Sequence, residues 1–295
     1  MVEVIKAETA EQFVDFLRPS RASWWDQSMA RHTHYFRGHA NKDWPLLPKG
    51  LRPLGQLNPL TPLYHAFIER HLEQGLGEFD EGMPSHETKL KCWRFALEEA
   101  VIQFGSLGRQ VGLETPFVQS SYLTESLTDR HPNEPDINLA GLAQHHGVPT
   151  HLLDWSEDPL TAAFFALGDD DQETDLCVWA LATSPHRYDL LPGSRQVIVL
   201  SQSATAGNPN VRAQHGVFLH YWGYKWEPAF DGEQWVPFEA HTALAASLTQ
   251  ITLPSRERNT LRLLLLAERR SAAHLMPSWD NVAATLLLRW ERSSL

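Results

Sequence analysis

The sequence predicts an α+β fold, with a helical N-terminal part packed on a mostly antiparallel sheet. Three observations lead there. Apolar residues recur at helical spacing through the first part of the chain. Short β-rich runs between turn residues follow in the second part. Helices come first and strands mostly later, a grouping that a regular βαβ sheet would not give.

Taken in order, Thr9 to Leu17 reads as a first helix: Thr9 and Gln12 form a capping box, Phe13, Phe16 and Leu17 an apolar face, and Pro19 a stop. Arg31 to Gly38 reads as extended, with His32, His34 and Phe36 on one face and Thr33, Tyr35 and Arg37 on the other. Trp44 to Pro53 is a proline-rich connector. A helix opens at Thr61-Pro62, with Thr61 as cap, and another runs from Ser85 to Leu107 with Leu90, Trp93, Leu97, Val101 and Phe104 inward. Asn138 to His146 is a short helix, capped by Asn138, stopped by Gly147 and turning His146 inward. Asp158-Pro159 opens a helix that buries Leu160, Ala163, Phe164 and Leu167 and stops at Gly168. The acidic run Asp169 to Asp171 reads as a solvated loop. Strands are expected at Leu176 to Ala182, Gln196 to Leu200, Val217 to Trp222 and Leu248 to Leu253. Pro254-Ser255 leads into a helix at Thr260 to Arg269. Ser278 caps a last helix with Val282, Leu286 and Trp290 inward.

Composition narrows the function classes. With 42% hydrophobic and 21% charged residues the chain has material for a sizeable core. A net charge of -11 argues against a broad surface that tracks nucleic-acid phosphates. A small basic cleft of Arg31, Arg37, Lys49 and Arg52 leaves nucleic-acid processing open as a local property. Cys92 and Cys177 are far apart and read as reduced core thiols. The first residues lack an apolar signal core, and Leu261 to Ala267 is too short to span a bilayer, so a cytoplasmic protein is expected.

The densest chemistry lies in Gln144-His145-His146-Gly147-Val148-Pro149-Thr150-His151-Leu152-Leu153-Asp154-Trp155. Polar side chains set against leucines need partners, and those partners can be a ligand. Arg37 offers a planar fork that fits a pyrophosphate, or that bridges a carboxylate such as Asp154. Gly38 lets a ligand close to the backbone. Asp154, between Leu153 and Trp155, is either tuned for chemistry or only organises Arg37 and the next helix. Trp44 or Trp155 can stack on a base, although packing is the ordinary role of a tryptophan. His145, His146 and His151 with Asp154 would give nitrogen and oxygen metal ligands. No histidine pair has the helical i, i+4 spacing of the familiar zinc motifs, and 15 histidines make chance clusters common, so no metal is favoured.

Tyr35-Phe36-Arg37-Gly38 followed by Trp44-Pro45-Leu46-Leu47-Pro48 resembles the motif that names the FRG domain. Gln144 to Ser156, with Pro159-Leu160 and Ala162 to Ala166, resembles its second signature. Val211 to Phe218 resembles a third, and Met276 to Asp280 a final turn. His151 stands where that pattern usually has arginine. The resemblance implies a single domain over 1–295, with a family-like core at 31–290 and a helical extension at 1–30. FRG proteins are in turn similar to ADP-ribosyltransferases, where an early strand ends in aromatic-Arg-Gly. That likeness implies a split sheet and NAD as substrate. The implied catalytic residues are Arg37, Gln214 and Asp154, and the implied NAD contacts are Arg37, Gly38, His145, His146, Thr150 and Trp155. Gln214 stands about where such transferases carry a glutamate; it can bind a ribose hydroxyl but cannot ionise. Glu227 and Glu239 lie further on and could substitute. The family's company implies a bacterial or phage toxin or an anti-phage defence effector, acting on an acceptor the sequence does not name. The alternative is a non-catalytic module that binds a nucleotide or ADP-ribose.

Overall fold

The computed structural model describes residues 1–26, 31–56, 58–114, 137–168, 173–182, 198–202, 210, 213–221, 230–231, 233–241 and 245–293. In chain order the elements are β1 (Glu3–Lys6), α1 (Ala10–Leu17), β2 (Trp25–Asp26), β3 (Arg31–His32), β4 (His34–His39), α2 (Thr61–Glu73), β5 (Phe79–Asp80), β6 (Met83–Pro84), α3 (His86–Gln110), α4 (Ile137–His145), β7 (Leu152–Ser156), α5 (Pro159–Ala166), β8 (Leu176–Ala182), β9 (Ile198–Gln202), β10 (Gly216–Tyr221), β11 (Leu248–Leu253), α6 (Arg258–Ala267), α7 (Ala272–Leu275) and α8 (Trp279–Ser293). A single-turn 3-10 helix, Lys49–Leu51, interrupts the connector after β4. The expected acidic loop and Glu227 lie outside the described residues.

Seven strands form one sheet in the order β1-β11-β8-β4-β7-β10-β9. All neighbours are antiparallel except β1 and β11, so the α+β expectation holds. The central strand β4 comes early in the chain, so the helical and strand parts interleave more than their order suggested. On one sheet face, α2 and α3 and the Lys49–Leu51 turn cover Leu153, Trp155, Cys177, Trp179 and Leu181. On the other, α1, α5 and α6 cover Phe36, Val178, Ala180 and Ile251. A third cluster seats α4 between α3 and the sheet, joining Ala140 and Ala143 to Val101, Leu152 and Phe218. Burial of these side chains is the main stabilising term, at roughly 1.5–3 kcal/mol for each large one.

Local chemistry explains the boundaries. The Thr9 hydroxyl accepts the Gln12 N–H at 3.3 Å, and the Gln12 side chain accepts the Glu8 N–H at 2.8 Å. Ser85 caps α3, and Gly147 at φ +87 and Gly168 at φ +58 supply the left-handed stops after α4 and α5. Thr61 does not cap α2. Its hydroxyl donates to the Gly55 and Asn58 carbonyls and ties the preceding turn instead.

The strand expected at Gln196 to Leu200 is described as β9 at Ile198–Gln202. Three expectations are corrected. The extended segment breaks at Thr33 into β3 and β4. Helix α4 stops at His145, so His146 falls in the turn beyond it and is exposed, stacked on Phe104 at 6.1 Å rather than facing the core. On α8, Val282, Leu286 and Trp290 are exposed, because the helix packs through the face bearing Thr285. No helix among the described residues is long and apolar enough to cross a membrane.

Candidate functional site

The site begins where the sheet opens. β4 and β7 share one register pair, Phe36 opposite Ser156. Continuing that register would set Gly38 opposite Asp154, but the strands have parted. Arg37 occupies the opening: its Nη1 donates to the main-chain oxygen of Asp154 at 2.7 Å, and its Nε donates to His39 Nε2 at 3.0 Å. A strand carbonyl that loses its ladder partner takes another donor, and this arginine supplies it.

The three residues of the Phe-Arg-Gly motif divide the work. Phe36 is fully buried against the α1 and α5 side. Arg37 bridges the split. Gly38 lies under α5: a Cβ there would sit 2.0 Å from the Ala162 oxygen and 2.5 Å from the Ala166 nitrogen. Gly38 was expected to admit a ligand; what comes close to it is helix α5, whose Ala162, Ala163 and Ala166 make the approach possible.

Asp154 is the one exposed residue of an otherwise buried strand. Alternation puts Leu153 and Trp155 in the core below and turns Asp154 to the Leu152 side, at the C-terminal end of α4. Its side chain is 61% exposed, and Arg37 Nη1 lies 4.0 Å from its Oδ2. Gln144 Nε2 donates to its Oδ1 at 2.7 Å. The Thr150 hydroxyl donates to Gln144 Oε1, and Thr150 Oγ1 in turn accepts the Leu152 N–H at 3.1 Å. A relay of Leu152, Thr150 and Gln144 therefore fixes the carboxylate from one side while Arg37 approaches from the other. Partial withdrawal of the carboxyl from water between β4 and β7 raises its proton affinity above the ordinary value; Arg37, Gln144 and His145 oppose that rise.

Two histidines near this junction have lowered proton affinity, His39 beside Arg37 and His145 on the Asp154 side. Burial, then repulsion from Arg37, pushes His39 down to about 3. Since its Nε2 accepts from Arg37, its proton sits on Nδ1. His145 is lowered by burial and by His146, and its Nε2 meets the Asn210 side-chain nitrogen at 2.7 Å. Lys49 Nζ donates to the Gly147 oxygen at 2.8 Å, and Gly50 N donates to the Thr150 oxygen at 2.9 Å. These two bonds clamp the connector after β4 onto the turn before β7.

Arg37, Asp154, Thr150 and His145 thus converge, together with Gln144 and His39, which sequence reasoning did not single out. The signal for Gln144 was its place at the start of the second signature; His39 had none beyond lying two residues past Arg37. Trp155 is buried on the far side of its strand, so it packs rather than faces the cleft. His151 is buried as well. Gln214 is turned elsewhere: its Nε2 donates to the Leu275 oxygen at 3.1 Å, and its carbonyl accepts the Ser156 hydroxyl at 2.6 Å. Glu239 accepts the Leu46 N–H at 3.0 Å and braces the connector. The buried acid is Asp158, which caps α5, accepts from Thr161 at 2.7 Å and pairs with Arg270 at 2.6 Å. No group of three or more histidine, cysteine, aspartate or glutamate side chains among the described residues is arranged to hold a metal ion. The side chain of Arg31 lies outside the described residues, and Lys49 is engaged with the Gly147 carbonyl.

The class these features define is an α+β protein whose sheet opens at an arginine-aspartate junction. Residues 32–175 match the family model of the FRG domain, and the chain carries that domain. The match ends just before β8, so β4 is bounded by one strand from inside the matched stretch and one from outside it. No curated protein and no solved structure matched the chain.

Proposed function

We propose that the Arg37–Asp154 junction at the β4–β7 split binds NAD, and that the chain acts as an NAD-using enzyme of the ADP-ribosyltransferase or glycohydrolase type. Asp154 carries the proposal. A solvent-reached carboxylate with raised proton affinity, held by Gln144 and set 4.0 Å from an arginine, is poised to meet a developing positive charge. When the bond between the ribose and nicotinamide breaks, nicotinamide leaves with the electron pair, and positive charge spreads over the ribose carbon and ring oxygen. Asp154 steadies that charge. Water or an acceptor hydroxyl then bonds to the same carbon and releases its proton to solvent or to neutral His145. Arg37 holds a phosphate oxygen with its remaining N–H groups. The opening in the sheet supports the likeness to ADP-ribosyltransferases at the level of fold. A toxin or antiviral defence effector is the setting that the FRG resemblance suggests.

One observation favours a second reading. Gln214 stands near the position of a transferase glutamate, cannot ionise, and spends its amide on Leu275. A module that binds a nucleotide or ADP-ribose without turnover fits that side chain better. Calorimetric titration with NAD, followed by analysis of the same sample for free nicotinamide, separates the two. Binding with nicotinamide release supports the enzyme, binding without release supports the module, and no binding removes both.

A further inference from the structure

We infer that the outer face of α8 is an interface for a second copy of this chain, and that the two helices pair antiparallel about a twofold axis. The inner face of α8 fixes its rotation on the domain. Ala284, Thr285 and Leu288 meet Phe164 of α5 and Leu266 of α6 around a small cavity. Thr285 Oγ1 accepts the Ala273 N–H at 3.3 Å, and Asn281 Nδ2 donates to the Met276 oxygen at 2.6 Å, so α7 and the turn after it tie the helix down. What this rotation leaves outside is apolar. Trp279 is 88% exposed, Val282 44%, Leu286 40%, Leu287 53% and Trp290 58%. Helical spacing sets these five on one side of α8, with Ala283 among them. Single exposed leucines are ordinary, but a contiguous stripe closed by a tryptophan at each end marks a contact surface.

The order of residues along α8 selects the partner. Trp279 and Trp290, Asp280 and Arg289, Val282 and Leu287, and Ala283 and Leu286 stand at equal distances on either side of the point between Ala284 and Thr285. A second α8 running in the opposite direction about that point brings each residue level with its counterpart. At the centre Leu286 of one copy meets the small Ala283 of the other, which lets the helices approach closely. At each end Asp280 of one copy lies level with Arg289 of the other, so opposite charges share a layer. A parallel pair would instead set Asp280 level with Asp280, Arg289 level with Arg289, and two helix dipoles side by side in the same direction. Covering the stripe in both copies removes roughly 1,200 Å² from water, which reaches the lower end of the range for a stable dimer. A membrane surface would accept the two tryptophans but would be indifferent to the matched order of the residues between them.

Sedimentation velocity of the full chain at about 1 to 100 μM tests the pairing. Wild type should move from the 33.5 kDa monomer to a species of twice that mass as concentration rises. Leu286→Glu puts a charge in the middle of the stripe and should weaken association by about a hundredfold or more; Leu286 is partly exposed, so the variant should fold, which thermal unfolding checks. Orientation is read with a short thiol crosslinker on Ala283→Cys and Asp280→Cys, since Cys92 and Cys177 are buried. In the antiparallel pair the two copies of residue 283 are about 5 Å apart along the axis and those of residue 280 about 14 Å. Crosslinking at Ala283→Cys alone is the expected result; crosslinking at Asp280→Cys, or at neither, overturns the antiparallel pairing. A dimer that survives Leu286→Glu unchanged overturns the interface. A wild type that stays monomeric also overturns it, and cosedimentation of that monomer with phosphatidylcholine–phosphatidylserine vesicles would give the face to a membrane surface instead.

Discussion

Arg37 reaches across the opening between β4 and β7 to the main-chain oxygen of Asp154 at 2.7 Å, while its cation stands 4.0 Å from that residue's carboxylate. The shorter contact is structural: it replaces the ladder bond that an unbroken pair of strands would have made. The longer one is electrostatic and leaves the carboxylate free to meet something else. One guanidinium thereby holds the split open and sets the charge of its floor.

Gly38→Ala should be among the most damaging single-methyl changes in the chain. The added carbon would overlap the backbone of α5 at Ala162 and Ala166, which cannot rotate away as a side chain could. A loss of about 3 kcal/mol is expected, read as a fall in the urea midpoint without a change of slope. An unchanged midpoint would mean that α5 does not lie against β4 as described.

Asp154→Asn should stabilise the fold at neutral pH. The carboxyl's proton affinity is raised on folding, so its favourable contribution is present below the unfolded pKa and is lost as pH rises through the folded one. Asparagine does not ionise and keeps an oxygen for Gln144. Its midpoint temperature should exceed that of wild type at pH 7 and converge with it near pH 4; a lower midpoint at pH 7 would contradict the raised value.

Asp158→Ala should destabilise the fold. Asp158 caps α5 and accepts from Thr161 and Arg270 in a buried setting. Asp158→Ala removes the cap and leaves Arg270 without its carboxylate, for a loss of about 3–5 kcal/mol by chemical denaturation. A loss below about 1 kcal/mol, the range of exposed pairs, would show that the pair is not buried.

His39 is depressed to about 3, and His34, also through burial, to about 4. The unfolded chain binds these protons more readily, so stability should fall as pH drops from about 6.5 toward these values. His39→Gln should flatten that slope in a pH series of urea melts. A slope identical to wild type would show that His39 does not titrate as its burial requires.

Much of this was legible in the sequence because strong local signals carried it. The Thr9 cap, the Ser85 cap, the Asp158-Pro159 start and the strand at Leu176–Ala182 each rest on residues a few positions apart. What was missed depends on distant partners. β7 is only five residues, and its alternation over Leu153-Asp154-Trp155-Ser156 is too short, next to Leu152, to stand out as a strand. It becomes a strand only between β4 and β10. β1 is charged and looks like an ordinary terminus until β11 pairs with it. The direction of α8 was read from its widest apolar stripe, yet the helix buries the face with Thr285. In the site, Arg37, Asp154, Thr150 and His145 stood out by residue type. The roles of Gln144 and His39 follow from a sheet that opens, which no local pattern states. Gln214 was placed by analogy and is held instead by Leu275.

The central claim is that the Arg37–Asp154 cleft cleaves the bond between ribose and nicotinamide. The most direct measurement is nicotinamide release from NAD by purified wild type, Asp154→Asn and Arg37→Ala, each first shown to be folded. Release by wild type, reduced by about a hundredfold or more in Asp154→Asn and accompanied by weaker NAD binding in Arg37→Ala, is the predicted result. Release that is equal in all three proteins would contradict the account.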